Sequence, residues 1–321
     1  MVPEQINQCE TVDNEDQRMS RRYPWILFGI AMSAMIIAFT ICAILAWLNP
    51  QIATTDEEDV PISQDEPVEE PEPLVIPEID FQTTVENWAN AIGGSKGIII
   101  YDLELDKIVG AYNADQKFQT ASLYKIFVVY EGYRRIQNGT FDSEEIIGWT
   151  RRTLTECLDL AIRESNSACA ETIWNMIGHD ELDEIVQTDF NLPGMRVSGL
   201  AATPTEIMQM MKIFYEHEEI SDEALVARIK DSFLNQPITE YNWRQGLPSG
   251  FSERVNVYNK VGWNWNGEWW TIYDDAAILD FVNENRHFIA VVMTSGVTYQ
   301  QIRNFGAQIE ATFYDQNVLK N

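Results

Sequence analysis

Thr120-Ala121-Ser122-Leu123-Tyr124-Lys125 sets a serine and a lysine three residues apart at the mouth of a predicted helix, Ser122 to about Asn138. At 3.6 residues per turn, positions i and i+3 share a face, so the amine is within reach of the hydroxyl. A lysine that loses water or gains a cationic neighbour becomes a neutral base, able to take the serine proton. The serine amide would sit at a helix N-terminus, where unpaired N–H groups favour an oxyanion. The same six residues also fit a plain helix start with an exposed lysine, so companions elsewhere in the chain decide the matter.

Two companions follow in order. Arg163-Glu164-Ser165-Asn166-Ser167-Ala168-Cys169 is a short polar run opening an apolar helix, and it reads equally as an N-cap. Val257-Tyr258-Asn259-Lys260-Val261-Gly262-Trp263 puts a lysine and then a glycine inside a strand. A strand glycine often marks close approach of another group to the backbone.

Outward from these motifs, the pattern predicts one unit from about residue 81 to the end. A capping-box pattern at Thr83-x-x-Glu86 opens a helix that Gly93-Gly94 stops. A hairpin follows, from Gly97 to Leu103 and from Lys107 to Tyr112. Helical sequence then fills most of Leu154 to Lys230, broken by a loop from Asn191 to Thr203. Strands return at about Val255 to Trp263, Trp269 to Tyr273, Ala276 to Val282 and Phe288 to Ser295. A last helix is predicted over Tyr299 to Val318. The order implies an α/β (α+β) architecture: an antiparallel sheet flanked by terminal helices, with an inserted all-helical lobe.

The preceding quarter of the chain has another character. Residues 1–24 are polar and hold Arg18, Arg21 and Arg22, a predicted cytoplasmic tail. Trp25 to Leu48 carries no charge, and at ~1.5 Å per residue it is long enough to cross a ~30 Å hydrocarbon layer. We read it as a single transmembrane helix with the domain after it outside the cytoplasm, because the flanking arginines are N-terminal. Residues 49–80 form an acidic linker, with eleven Asp or Glu and five Pro between Asp56 and Asp80 and no Lys or Arg. Such a segment self-repels and acts as a tether.

A formal net charge of −28 argues against nucleic acid or anionic lipid as partner of the globular part. The histidines (His179, His217, His287) lack metal-ligand spacing, and no G-x-S-x-G elbow occurs, so no metal or other cofactor is expected. Cys157 and Cys169 fit either a disulfide or two buried thiols.

In their order, Ser122-x-x-Lys125, Ser165-Asn166-Ser167 and Lys260-Val261-Gly262 resemble the S-x-x-K, S-D-N and K-T-G motifs of class A β-lactamases and penicillin-binding proteins. The resemblance implies the β-lactamase/D,D-peptidase fold and an acyl-serine mechanism on β-lactams or on the D-Ala-D-Ala end of peptidoglycan stem peptides. It makes Ser122 the nucleophile, Lys125 the acylation base and Ser165 the proton relay. Lys260 would help keep Lys125 neutral and attract a substrate carboxylate. Ser167 and Gly262 would line the substrate site, with the amides of Ser122 and Trp263 as oxyanion donors.

Three departures stand against it. Ser167 replaces an amide-holding Asn, Val261 offers no hydroxyl, and the loop from Asn191 to Thr203 has no acid where class A enzymes carry their water-activating glutamate. Asp183, Glu184 and Asp189 lie just upstream, as a solvated acidic helix end or as substitutes. A cell-wall or β-lactam binding or sensor module is therefore the rival expectation, and an esterase or amidase on another acyl substrate a third. Trp263, Trp265, Trp269 and Trp270 read as core more readily than as a stacking surface.

Overall fold

Alternation in the strands builds the frame. In the computed structural model, which describes residues 76–238, 241–265 and 270–318, five antiparallel strands form one sheet in the order β2-β1-β9-β8-β7. These are β1 (Ser95–Asp102), β2 (Lys107–Tyr112), β7 (Val255–Trp265), β8 (Trp270–Phe281) and β9 (Arg286–Ser295). Along β9, Phe288, Ala290 and Val292 face one core, while Ile289, Val291 and Met293 face a second. Period-two side chains on a sheet covered on both faces require this.

The first core is closed by α1 (Gln82–Ala91) and α8 (Tyr299–Val318), through Val85, Trp88, Phe305, Ile309 and Phe313. The second is closed by the inserted helices: α2 (Lys125–Gln137), α3 (Leu154–Arg163), α4 (Ser167–Ile177), α5 (His179–Thr188), α6 (Pro204–Glu216) and α7 (Glu223–Leu234). Short pairs β3 (Phe118–Gln119) with β6 (Ala201–Ala202), and β4 (Ile146–Ile147) with β5 (Arg152–Thr153), tie the lobe together. Helix α2 is its axis. All nine residues from Lys125 to Tyr133 are buried, as expected of a helix wrapped on every side.

The predicted tail and membrane span, the tether as far as residue 75, and Trp269 lie outside the described residues. Among the described residues no helix is long and apolar enough to cross a membrane. Four expectations change. Residues 77–80, read as the end of the tether, pack onto the domain: Ile79 is fully buried and Arg286 donates to the Pro77 carbonyl at 2.7 Å. Helix α1 begins at Gln82 without the Thr83/Glu86 box, because Asp80 accepts the Gln82 amide at 2.8 Å and Phe81 is anchored in the core.

The predicted helix from Ser122 is divided. A 3-10 turn, Ala121–Tyr124, holds the serine, and the α-helix starts at Lys125. The two strands expected around Asp274-Asp275 are one, β8, because both carboxyls are buried with partners rather than turned to solvent. Asp274 accepts the Thr294 amide at 2.7 Å, and Asp275 accepts the Leu247 amide and the Asn259 side chain, each at 2.9 Å.

Cys157 and Cys169 form a disulfide between α3 and α4, settling the open pair. It brackets the segment 164–166 that carries Ser165. In the chain-entropy account a closed loop of this size contributes roughly 3 kcal/mol. A Cys157→Ala/Cys169→Ala variant is expected to lose about 2–3 kcal/mol in a denaturant melt, and reduction of the wild type is expected to reproduce the loss.

Candidate active site

Three elements converge on Ser122. Strand β3 leads into it, held to β6 and by the Thr120 amide donating to the Leu200 carbonyl at 2.9 Å. The chain then turns through Ala121 at φ 41°, a left-handed value that costs a non-glycine residue about 1–2 kcal/mol. That turn lifts the half-buried Ser122 out of the core while Leu123 and Tyr124 stay inside.

The second element is the α3–α4 connection. Asn166 caps α4 by accepting the Cys169 amide at 3.0 Å, so the N-cap reading of this run is right for Asn166. Its neighbour Ser165, at φ 53°, is bent the other way, toward Lys125. The third element is the sheet edge, β7. A side chain at Gly262 would place its Cβ 2.5 Å from the Thr120 carbonyl oxygen, so the close approach predicted from this glycine is real. Gly262→Ala is expected to push β7 from the Ser122 turn and, if the resemblance holds in its acyl-serine chemistry, to slow acylation roughly 10²-fold, read as the single-turnover rate with a penicillin.

Around Ser165 two lysines meet. Lys125 Nζ donates to the Ser165 carbonyl, to Ser165 Oγ at 3.3 Å and to Ser167 Oγ at 3.0 Å. Lys260 Nζ donates to Ser165 Oγ at 2.9 Å and to the Val261 carbonyl at 2.6 Å. Both lysines are fully buried. Burial brings Lys125 down to about 7, against the charge of Glu171, which holds it up. Lys260 is held well below the usual lysine range, first by burial and then by Lys125, with Asp275 opposing.

The resemblance has Lys260 keep Lys125 neutral, but burial does this, and the charge effect runs the other way, from Lys125 onto Lys260. Two ammonium groups on one hydroxyl repel, and their titration belongs to the pair. Behind Lys260 runs a buried polar chain. Asp275, raised to about 7 by burial, meets Asn259, which accepts from Arg244 at 3.3 Å. Arg244 also donates to the Val257 carbonyl at 3.0 Å. This chain fixes the back of β7 where Lys260 stands.

Of the residues singled out from sequence, Ser122, Lys125, Ser165, Ser167, Lys260 and Gly262 come together. Ser122 is the partial exception: Lys125's donors go to Ser165 and Ser167, and among the described residues none bonds Ser122 Oγ. The Trp263 ring packs with Trp243, Val261 and Tyr273. That is the core role expected of it.

Of the upstream acids expected at a solvated helix end, only Asp183 departs from that reading, being buried and accepting the Ser198 amide at 3.0 Å; Glu184 and Asp189 are exposed, Asp189 with Arg134 at 2.7 Å. Sequence reasoning missed Tyr124, Glu171, Asn259 and Arg244. Asp274-Asp275, read as a break between two strands, gave no warning of the Asp275 chain, and nothing in the sequence signalled the others. Among the described residues no three His, Cys, Asp or Glu side chains gather as metal ligands would.

A model of the beta-lactamase enzyme family matches residues 80–316, more than half of the chain. No protein of curated function matches. Among solved structures, a class A beta-lactamase described as the last common ancestor of Gram-negative bacteria is similar at 17% identity and TM-score 0.63. The match covers 72% of this chain and 99% of that one. A structure described as PBP-A is similar at 17% identity and TM-score 0.61, covering 75% and 99%. A second ancestral class A beta-lactamase is similar at 15% identity and TM-score 0.63, covering 73% and 100%. At these identities the likeness is one of fold.

Proposed function

The chain belongs to the beta-lactamase enzyme family, and from that premise we propose that it is a membrane-anchored, extracytoplasmic serine hydrolase working through an acyl-Ser122 intermediate. Its substrate class is a β-lactam or the D-Ala-D-Ala end of a peptidoglycan stem peptide. The observation that carries the reading is the pair of buried lysines, Lys125 and Lys260, hydrogen-bonded to the same Ser165 hydroxyl beside the Ser122 turn. Burying two amines without a carboxylate contact costs stability, and chemistry that needs a neutral amine accounts for the expense.

In acylation, Lys125 takes the Ser122 proton as Oγ bonds to the substrate carbonyl carbon. The oxyanion is held by the amides of Ser122 and Trp263, and loss of one such donor typically costs about 3–4 kcal/mol of transition-state stabilisation. Ser165 then passes a proton to the leaving nitrogen as the amide bond breaks. The lysine pair supplies that proton, since both Nζ atoms reach the same hydroxyl. The anchor rests on the charge-free run Trp25 to Leu48 and the arginines before it.

Intact-mass spectrometry of the full chain in detergent, incubated with a penicillin and followed over hours, tests the proposal. An adduct of penicillin mass on Ser122 is expected. Its absence with a penicillin, a D-Ala-D-Ala peptide and a simple ester would sink the acyl-serine mechanism.

One observation favours a second reading, a β-lactam or cell-wall binding or sensor module: the free Ser122 hydroxyl has no bond from Lys125. Turnover that disappears in a Lys125 variant excludes it.

A further inference from the structure

The loop from Asn191 to Thr203 has no acid to activate a deacylating water, yet one carboxylate is tied to the Ser122 turn from another element. Glu171 stands on α4, one helical turn after Ser167, whose Oγ is 3.0 Å from Lys125 Nζ. Its Oε1 accepts the Tyr124 hydroxyl at 2.6 Å. Tyr124 belongs to the same 3-10 turn as Ser122, two residues on, so one hydrogen bond ties the acid to the turn that carries the nucleophile.

The tie is stiff. The Tyr124 ring is buried and lies 5.0 Å from that of Trp174, which stacks in turn on His179 at 4.1 Å. Glu171 itself is exposed, open to the water that deacylation consumes, and Tyr124 occupies only one of its two oxygens. Three other acids are committed. Asp183 holds Ser198, Glu206 closes the capping box of Thr203, and Asp275 is buried against Asn259 and the Leu247 amide.

Resting on the acyl-serine reading, we infer that Glu171, oriented by Tyr124, is the general base that activates water for hydrolysis of acyl-Ser122. The Glu171 carboxylate takes a proton as the water oxygen bonds to the acyl carbonyl carbon, and the carbonyl electron pair moves onto its oxygen. When that pair returns, the bond from carbon to Ser122 Oγ breaks and Oγ takes the proton back from Glu171. The products are a free acid, a restored serine and a restored carboxylate. The influence of Glu171 on Lys125 agrees with the placement: its charge raises the affinity of that amine for a proton, against burial.

The test follows the penicillin adduct by intact mass in the full chain in detergent, as wild type, Glu171→Gln, Glu171→Asp and Tyr124→Phe. Glu171→Gln is expected to acylate and then keep its adduct at least ~10²-fold longer than wild type, the scale of a lost general base. Glu171→Asp is expected to clear at an intermediate rate. Tyr124→Phe is expected to slow clearance less than Glu171→Gln. The Gln side chain keeps an oxygen that can accept the Tyr124 hydroxyl, so slow clearance in Glu171→Gln is more than a merely structural Tyr124–Glu171 bond would produce.

Adducts that clear equally fast in wild type and Glu171→Gln overturn the assignment and leave the acyl-serine mechanism standing. So does a wild-type adduct as persistent as that of the variant. No adduct in any of the four proteins removes the mechanism, and the assignment with it.

Discussion

Ser122→Ala is expected to form no adduct with a penicillin and to lower turnover of any acyl substrate by roughly 10⁴- to 10⁶-fold, the scale on which a nucleophile and its base fail together. The fold is expected to be untouched. Ser122 is half-buried, its hydroxyl makes no hydrogen bond among the described residues, and the strain of the turn lies at Ala121. A melting temperature within about 1–2 °C of wild type is expected, since substitutions that break no bond and open no cavity stay within about 0.5 kcal/mol. Intact mass and a thermal melt on the same sample check both halves. An adduct surviving on Ser122→Ala would move the nucleophile elsewhere, and Ser165 would be the first place to look.

Lys125→Met is expected to cost catalysis and return stability. In the proposed mechanism Lys125 is a base only when neutral, and burial brings it down to about 7. Acylation by the wild type should therefore rise with pH, be half-maximal near 7 and fall about tenfold per unit well below that. Losing the base is expected to cost roughly 10²- to 10⁴-fold and to flatten this limb.

Stability should move the other way. The folded lysine titrates below its unfolded value of 10.5, so between about 7 and 10.5 the unfolded chain binds more protons and stability rises with pH. Below about 7 the full penalty is present, and above 10.5 it is gone. Methionine removes it, so the variant is expected to gain about 1–3 kcal/mol at pH 6. The gain should shrink as pH climbs toward 10. Melts of both proteins at pH 6, 8 and 10 measure the gap; a gap that widens with pH would mean Lys125 is not a buried cost.

The same residue shows how far the sequence reaches. The spacing of Ser122 and Lys125 was visible as three positions on a helix, but the structure splits them between a 3-10 turn and the first turn of α2. What Lys125 bonds is on another element, forty residues on, and local periodicity carries no information about that. Gly262 was legible because a missing side chain is itself a local signal of crowding, and Thr120 proves to be what crowds it. Glu171 was not legible: an exposed glutamate on an amphipathic helix looks the same whether or not a tyrosine from another segment holds it. Asp274-Asp275 misled, because two adjacent acids usually face water and break a strand, whereas here both are drawn inside β8.

By itself, then, the sequence determined the order of elements, the two-faced strands and the three motifs in register with them. These follow from side-chain periods of 2.0 and 3.6 and from steric rules acting within a few residues. Only the tertiary structure decided that Cys157 joins Cys169, that Lys125 and Lys260 share Ser165, and that Glu171 leans on Tyr124. Each is a contact between separate segments, and its chemistry comes from the water that packing removes, a quantity no single stretch of chain contains.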